Sequence, residues 1–393
     1  TYHKKPLKEY LSPVSKSVIA HREVLPVGTL GKQIDLHMEA GILPVVLEAK
    51  FAIFGIRENR NDVNYMGAEV NFENFRKALY SLYPGNWSGK IIDLGDIDKG
   101  DSIEDTLFAV KQVTEELLLK NVIPIILGGS QDMAYSQYRA YDNLGKMVNF
   151  VNVDSRFDLG DADQPINNKS YVGKIIVDEP FNLFNYSALG YQSYYNPPQE
   201  IMLMEKLYFD AYRLGDVVAD ITAVEPILRD ADIVTLDATA LKGAFLSISG
   251  DESPNGFDGR EICAVSRYAG ISNKVKSFGI YELNGGTESK SGSMLIAQVI
   301  WYFIEGVSFR VKDDDFNDEN CFTTYKVPID DEILTFKKSS KTGRWWIELP
   351  FISKVNNKLK RHTLLPCTHG EYLGAIQQEI PERWYKARRK NEV

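Results

Sequence analysis

Short apolar runs alternate along the chain with segments whose apolar positions recur every three or four residues. The runs KFAIFGIREN (50–59), GKIIDLGDI (89–97), VIPIILGG (122–129), MVNFVNVD (147–154), DIVTLD (232–237) and VKSFGIYELN (275–284) have the composition and length of buried strands. SIEDTLFAVKQVTEELLLKN (102–121) and SMLIAQVIWYFIEGV (293–307) carry the helical spacing. This alternation predicts an α/β chain with a three-layer, mainly parallel sheet covered by helices on both faces. The strands end on polar or acidic residues, as in VNVDSRFD and VTLDAT. Sites in open parallel sheets lie beyond the carboxyl ends of the strands, so these endings are expected to converge. Asp132, after the glycine turn of IPIILGGSQDMAYSQYRAY (123–141), and Asp258, before GREICAV, are expected to cap helices.

From about residue 310 the pattern changes, and the chain divides into an α/β domain over 1–309 and a C-terminal extension over 310–393. The extension opens on an acidic loop, KDDDFNDEN (312–320). EILTFKKSSKTGRWWIELP (332–350) follows as a predicted β-hairpin turning at KKSSKTGR. Its tail, KVNNKLKRH and ERWYKARRKNEV, is basic. Trp345 and Trp346 alternate sides of the hairpin strand, so one is expected to pack inward and the other to stand exposed as a candidate partner contact, with packing of both within the extension an equal expectation. The tyrosine-rich YSALGYQSYYNPPQE (186–200) is expected to be a packed surface loop.

Composition narrows the class. A chain of 393 residues with 44% hydrophobic and 25% charged residues can bury a large core, so disorder is not expected. The net charge of −9 and pI near 5.3 argue against nucleic acid as a partner of the whole surface. Cys263, Cys321 and Cys367 are widely spaced without a CxxC pair, which fits a reducing, cytoplasmic setting. No stretch approaches the roughly 18 apolar residues of a membrane span. HTLLPCTHGEY gathers His362, Cys367, His369 and Glu371, but at no recognised ligand spacing.

Four motifs in order, GGSQD (128–132), DSRFD (154–158), TLDAT (235–239) and YELN (281–284), resemble the ureohydrolase family: arginase, agmatinase and, most closely, formimidoylglutamase. The resemblance covers roughly residues 45–308, and SPNGFDGREICAV (253–265) is similar to the formimidoylglutamase stretch after the third motif. In that family the motifs run Gly-Gly-Asp-His, Asp-Ala-His-x-Asp, Ser-x-Asp-x-Asp and Glu-x-Asn, and they hold a dinuclear manganese centre. The resemblance therefore places Ser130 and Gln131 at the first motif's Asp-His, with Gln131 at its ligand histidine. It places Asp154, Arg156 and Asp158 at the second motif's ligands, Asp237 and Thr239 at the third's, and Glu282 near the amidine or guanidine group.

Three of the six implied ligands differ, at Gln131, Arg156 and Thr239. A guanidinium stays protonated and cannot ligate, and threonine and glutamine are poor replacements for a carboxylate and an imidazole. The five histidines are His3, His21, His37, His362 and His369, so none lies between residues 38 and 361. Arg156 is expected to replace the metal as counter-charge to the aspartates. The sequence thus leads to a catalytically inactive ureohydrolase relative with no cofactor and no dinuclear manganese. It would bind a small ligand or a protein partner, or self-associate through the extension. The alternatives are a metal-dependent hydrolase of a linear amidine or guanidine such as formimidoylglutamate, and a structural subunit of a larger complex.

Overall fold

The structure, a computed structural model, describes residues 5–161, 163–245, 253–283, 289–313, 320–350 and 364–392. Part of the acidic loop, the stretch KVNNKLKRH, His362 and Asn284 of the fourth motif lie outside the described residues. Among the described residues nine strands form one sheet: β1 (Asp35–Leu36), β2 (Phe51–Ile56), β3 (Ile91–Ile97), β4 (Ile123–Leu127), β5 (Val148–Val153), β6 (Leu183–Tyr191), β7 (Asp210–Arg213), β8 (Ile233–Asp237) and β9 (Ser277–Tyr281). Their order is β1-β3-β2-β4-β9-β8-β5-β6-β7, and every pairing is parallel. The six predicted strands are β2, β3, β4, β5, β8 and β9, and all are buried along their whole length. They read as unbroken apolar runs because helices cover both faces. On β4, Ile123, Ile125 and Leu127 join the core beneath helices Gly259–Ile271 and Lys290–Ser308. Ile126 instead joins the opposite core with Val110, Val113 and Met133.

Helix starts follow local chemistry. Asp258 caps Gly259–Ile271, its carboxylate accepting the Glu261 amide while the Glu261 side chain accepts the Asp258 amide. Asp132 differs from expectation: it precedes helix Met133–Arg139 but makes no side-chain cap, and its carboxylate turns to Ser130 Oγ and Asn61 Nδ2. The tyrosine-rich stretch also differs. Residues 183–191 form β6, with Tyr186 fully buried, and beyond it come a 3-10 turn (Ser193–Tyr195) and the start of helix Pro198–Lys206. Its polar positions hid the strand because Asn185 and Ser187 bond Asp210 on edge strand β7.

After helix Lys290–Ser308 the chain builds a second, antiparallel sheet in the order β10 (Phe322–Ile329), β11 (Glu332–Ser339), β12 (Trp345–Glu348), β13 (Leu364–Cys367). The predicted hairpin is β11–β12, with Lys338 opposite Trp345. Of the two expectations for its tryptophans, the exposed one does not hold: both are buried, at 7% and 6% exposure. β12 is an interior strand with both faces covered. Trp345 stacks on Tyr372 and His369, and Trp346 packs on Phe322 and Arg229. Cys367 is buried on β13, where burial raises its thiol pKa, and Glu371 is spent on the cap of helix His369–Ile376. Among the described residues no helix is long and apolar enough to cross a membrane.

Candidate active site

The carboxyl ends of β4, β5, β8 and β9 meet, as the strand endings predicted. Two glycines permit this approach. A Cβ on Gly128 would lie 1.9 Å from Tyr281 Cδ1, and one on Gly129 would lie 1.9 Å from the Glu58 carbonyl oxygen. Past them the Gln131 amide donates to Glu282 Oε1 at 2.8 Å, joining the β4 and β9 ends. The Gln131 side chain donates from Nε2 to Asn152 Oδ1 (3.1 Å) and the Tyr171 hydroxyl (3.0 Å), and Oε1 is a buried acceptor without a hydrogen-bond partner among the described residues. Asn152 in turn donates to Asp154 Oδ2 at 3.0 Å.

Asp154, Asp158 and Asp237 form the centre: all are buried, with one oxygen of each lying within 4.8 Å of the others. Asp154 Oδ1 accepts the Arg156 amide at 2.9 Å, and Asp237 Oδ1 accepts the Thr239 amide at 2.6 Å. No N–H or hydroxyl donor among the described residues reaches either oxygen of Asp158, whose partner is the Asp154 carboxyl. Burial pushes Asp158 up to about 7, opposed by Lys169 and reinforced by Asp237. Burial, with Asp237 and Asp158, holds Asp154 well above the usual carboxylate range. Glu282 is raised in the same way by burial and Asp237. Asp158 (φ 51°) and Glu282 (φ 57°) both sit in the left-handed backbone region, a strained setting that clusters at functional sites.

The counter-charge is not the one expected. The Arg156 guanidinium lies over the Tyr195 ring, 4.5 Å from its centre, and donates to the Tyr195 carbonyl at 3.2 Å, with only a minor influence on Asp158. A second cation acts on all of these acidic groups, Lys169. Its Nζ is buried, and although burial opposes its charge, Asp158, Asp237, Glu282 and Asp154 together raise its pKa above the usual lysine value. The motif spacing pointed to Arg156 because it lies between the aspartates in sequence; its side chain leaves the cleft toward the turn after β6. Thr239 Oγ1 is buried at the end of β8 without a hydrogen-bond partner among the described residues. Ser130 Oγ is committed to Asp132, whose pKa burial raises to about 6.

Several residues of the cleft went unread in the sequence. Asn168 Nδ2 donates to Glu282 Oε1 (3.0 Å) and Asp62 Oδ1 (3.1 Å), and Asn61 Nδ2 donates to Asp132 Oδ2 at 3.0 Å. The run RENRND after β2 carried a usable signal, since it too is a polar strand ending at the carboxyl edge. Lys169 carried none, standing alone in the turn NNKSY.

The Arginase family model matches residues 49–305, more than half of the chain. The chain is 24% identical over 264 residues to formimidoylglutamase of Geobacillus sp. (strain WCH70), covering 63% of this chain and 80% of that one. It is 25% identical over 286 residues to formimidoylglutamase of Streptococcus gordonii, covering 67% and 86%. In three dimensions it is similar to formiminoglutamase of Trypanosoma cruzi, solved with Mn2+2, with a TM-score of 0.60 at 16% identity over 69% of this chain and 100% of that chain. The formimidoylglutamase of Bacillus subtilis gives a TM-score of 0.59 at 17% identity over 70% and 95%. These findings correct the expectation of a site with no cofactor and no dinuclear manganese. The family match and a solved relative with Mn2+2 stand against it, and the aspartate cluster that could hold an ion is assembled here. The donors suit a hard divalent cation: three converging carboxylates, one of them lacking any N–H or hydroxyl donor among the described residues.

Proposed function

This chain belongs to the arginase family, and on that premise we propose that its cleft hydrolyses a C–N bond of a linear amidine or guanidine, of the formimidoylglutamate type. Asp154, Asp158 and Asp237 would hold the divalent metal, and their convergence within 4.8 Å is the observation that carries the reading. A metal bound there would supply a water acidified toward neutral pH, the nucleophile that attacks the amidine carbon. Glu282 supplies the buried carboxylate that suits a planar amidinium, whose paired N–H donors match two oxygens. Gln131 and Asn168 orient that carboxylate through their hydrogen bonds to Oε1. The depth of the cleft keeps bulk water from the reacting carbon and strengthens each of these interactions.

A second reading has its own support. Gln131, Arg156 and Thr239 stand where the resemblance implies ligands, and Lys169 lies among the aspartates, which favours a cleft that binds a small ligand without turning it over. One experiment separates the two. Manganese-loaded protein is incubated with N-formimidoyl-L-glutamate, and formamide and glutamate are measured beside substrate binding. Turnover abolished by Asp237→Asn supports hydrolysis; saturable binding with no formamide released supports the second reading.

A further inference from the structure

The aspartate cluster carries its own cation, and the fold fixes that cation in place. Lys169 stands at the end of the turn joining β5 to helix Tyr171–Val177. Its amide donates to Asn167 Oδ1 at 2.8 Å, and its neighbour Asn168 is bonded to Glu282 and Asp62. The Val172 amide donates to the Asp158 carbonyl at 3.1 Å, so the end of the turn returns to the aspartate from which it set out. Gly160 lies so close to Ser170 that an added Cβ would stand 2.5 Å from Ser170 Cβ, which closes the turn on itself. A side chain launched from this point delivers a buried Nζ into the field of Asp158, Asp237, Glu282 and Asp154.

Resting on the metal reading above, we propose that the Lys169 ammonium and a divalent metal compete for the same three aspartates, so that the 163–170 turn sets how readily the cleft takes up metal. Three carboxylates in one buried nest create a negative potential that any cation relieves, and the ammonium relieves it first because it is tethered there. A metal arriving at these carboxylates meets a like charge already at work on them. Exposed lysines elsewhere on the chain have no such effect, because water screens them.

The test compares manganese binding by titration calorimetry for the full-length wild type, Lys169→Met and Lys169→Arg at one pH. Lys169→Met, neutral and of similar length, is expected to bind at least tenfold more tightly than wild type, and Lys169→Arg about as weakly as wild type. Equal or weaker binding by Lys169→Met overturns the competition while leaving the metal site standing. Absence of binding in all three overturns the metal reading and the competition with it. If Lys169→Met does not fold, the wild type decides. Acetylation of Lys169 by an activated ester, followed by mass spectrometry, is expected to rise severalfold on adding manganese, and an unchanged or slower rate overturns the proposal.

Discussion

The guanidinium of Arg229 lies 4.4 Å from the centre of the Trp346 ring and donates from Nη2 to the carbonyls of Trp345 (3.0 Å) and Cys367 (3.2 Å). One buried side chain at the end of helix Val224–Arg229 therefore ties the second sheet's β12 and β13 to the parallel sheet's layer. Arg229→Ala is expected to lower the unfolding free energy by about 2–4 kcal/mol, since it removes a desolvated cation–π contact and leaves two buried carbonyls without this donor. Urea denaturation of the full chain measures it. A loss below about 0.5 kcal/mol, the size of an ordinary surface substitution, would contradict the docking role.

The same packing changes what the tryptophans should do. Trp345→Ala and Trp346→Ala each open a cavity in a covered sheet, and each is expected to destabilise by about 3–5 kcal/mol. The midpoint of denaturation reports this directly. Normal stability with a changed oligomeric mass would show instead that an indole faces a partner.

At Gly129 the clash of an added Cβ is with backbone, the Glu58 carbonyl at 1.9 Å, which no side-chain rotation relieves. The Gly129 carbonyl also accepts the Glu282 amide at 2.7 Å, so displacing it moves the end of β9. Gly129→Ala is expected to cost about 1–3 kcal/mol and, on the function proposed above, to weaken amidine binding at Glu282. Calorimetry of folding and of binding separates the two effects.

Much of the fold was legible because it follows from local pattern. Six central strands announced themselves as apolar runs, Asp258 as a cap, and the β11–β12 hairpin by its turn. The convergence of Asp154, Asp158, Asp237 and Glu282 followed from strand endings alone. The failures share a cause: each depended on where a distant segment lies. Arg156 and Lys169 are both single cations near Asp158, and only the path of the 163–170 turn decides which enters the cleft. Trp345 and Trp346 alternate as a two-faced strand should, but β12 is flanked by β11 and β13 and covered on both faces. β6 escaped notice because its polar residues serve β7, a partner more than 20 residues later.

Lys390, near the chain's end, gives a pH dependence of definite sign. Its ammonium lies 5.3 Å from the Phe184 ring centre and 5.8 Å from that of Phe209, and bonds Asn185 Oδ1. Burial lowers its pKa from 10.5 to about 8. Between these values the unfolded chain binds the proton and the folded chain does not, so stability from this group rises with pH from about 8 to 10.5 and is lost as pH falls through 8. Lys390→Met is expected to remove that rise, read as the difference between wild-type and variant unfolding curves across the window. A wild-type curve parallel to the variant's would contradict the burial of the charge.

Metal addition and removal test the centre of the cleft without requiring turnover. A ligand bound only by the folded chain stabilises it by RT ln(1 + [L]/Kd), about 2.7 kcal/mol at a hundredfold excess over Kd. Manganese is therefore expected to raise the melting temperature in a concentration-dependent way, and chelation to return it to its starting value. Asp158→Asn should abolish the shift, because it replaces a charged ligand with a weak one at a carboxylate whose oxygens have no N–H or hydroxyl donor among the described residues. In the absence of metal the same substitution removes a carboxylate that repels Asp154 and Asp237, yet it also removes a partner of Lys169, so these two effects oppose each other. The diagnostic quantity is accordingly the metal-induced shift rather than the starting stability. A shift of the same size in wild type and Asp158→Asn would place the ion elsewhere on the chain and remove the basis for assigning these aspartates as its ligands.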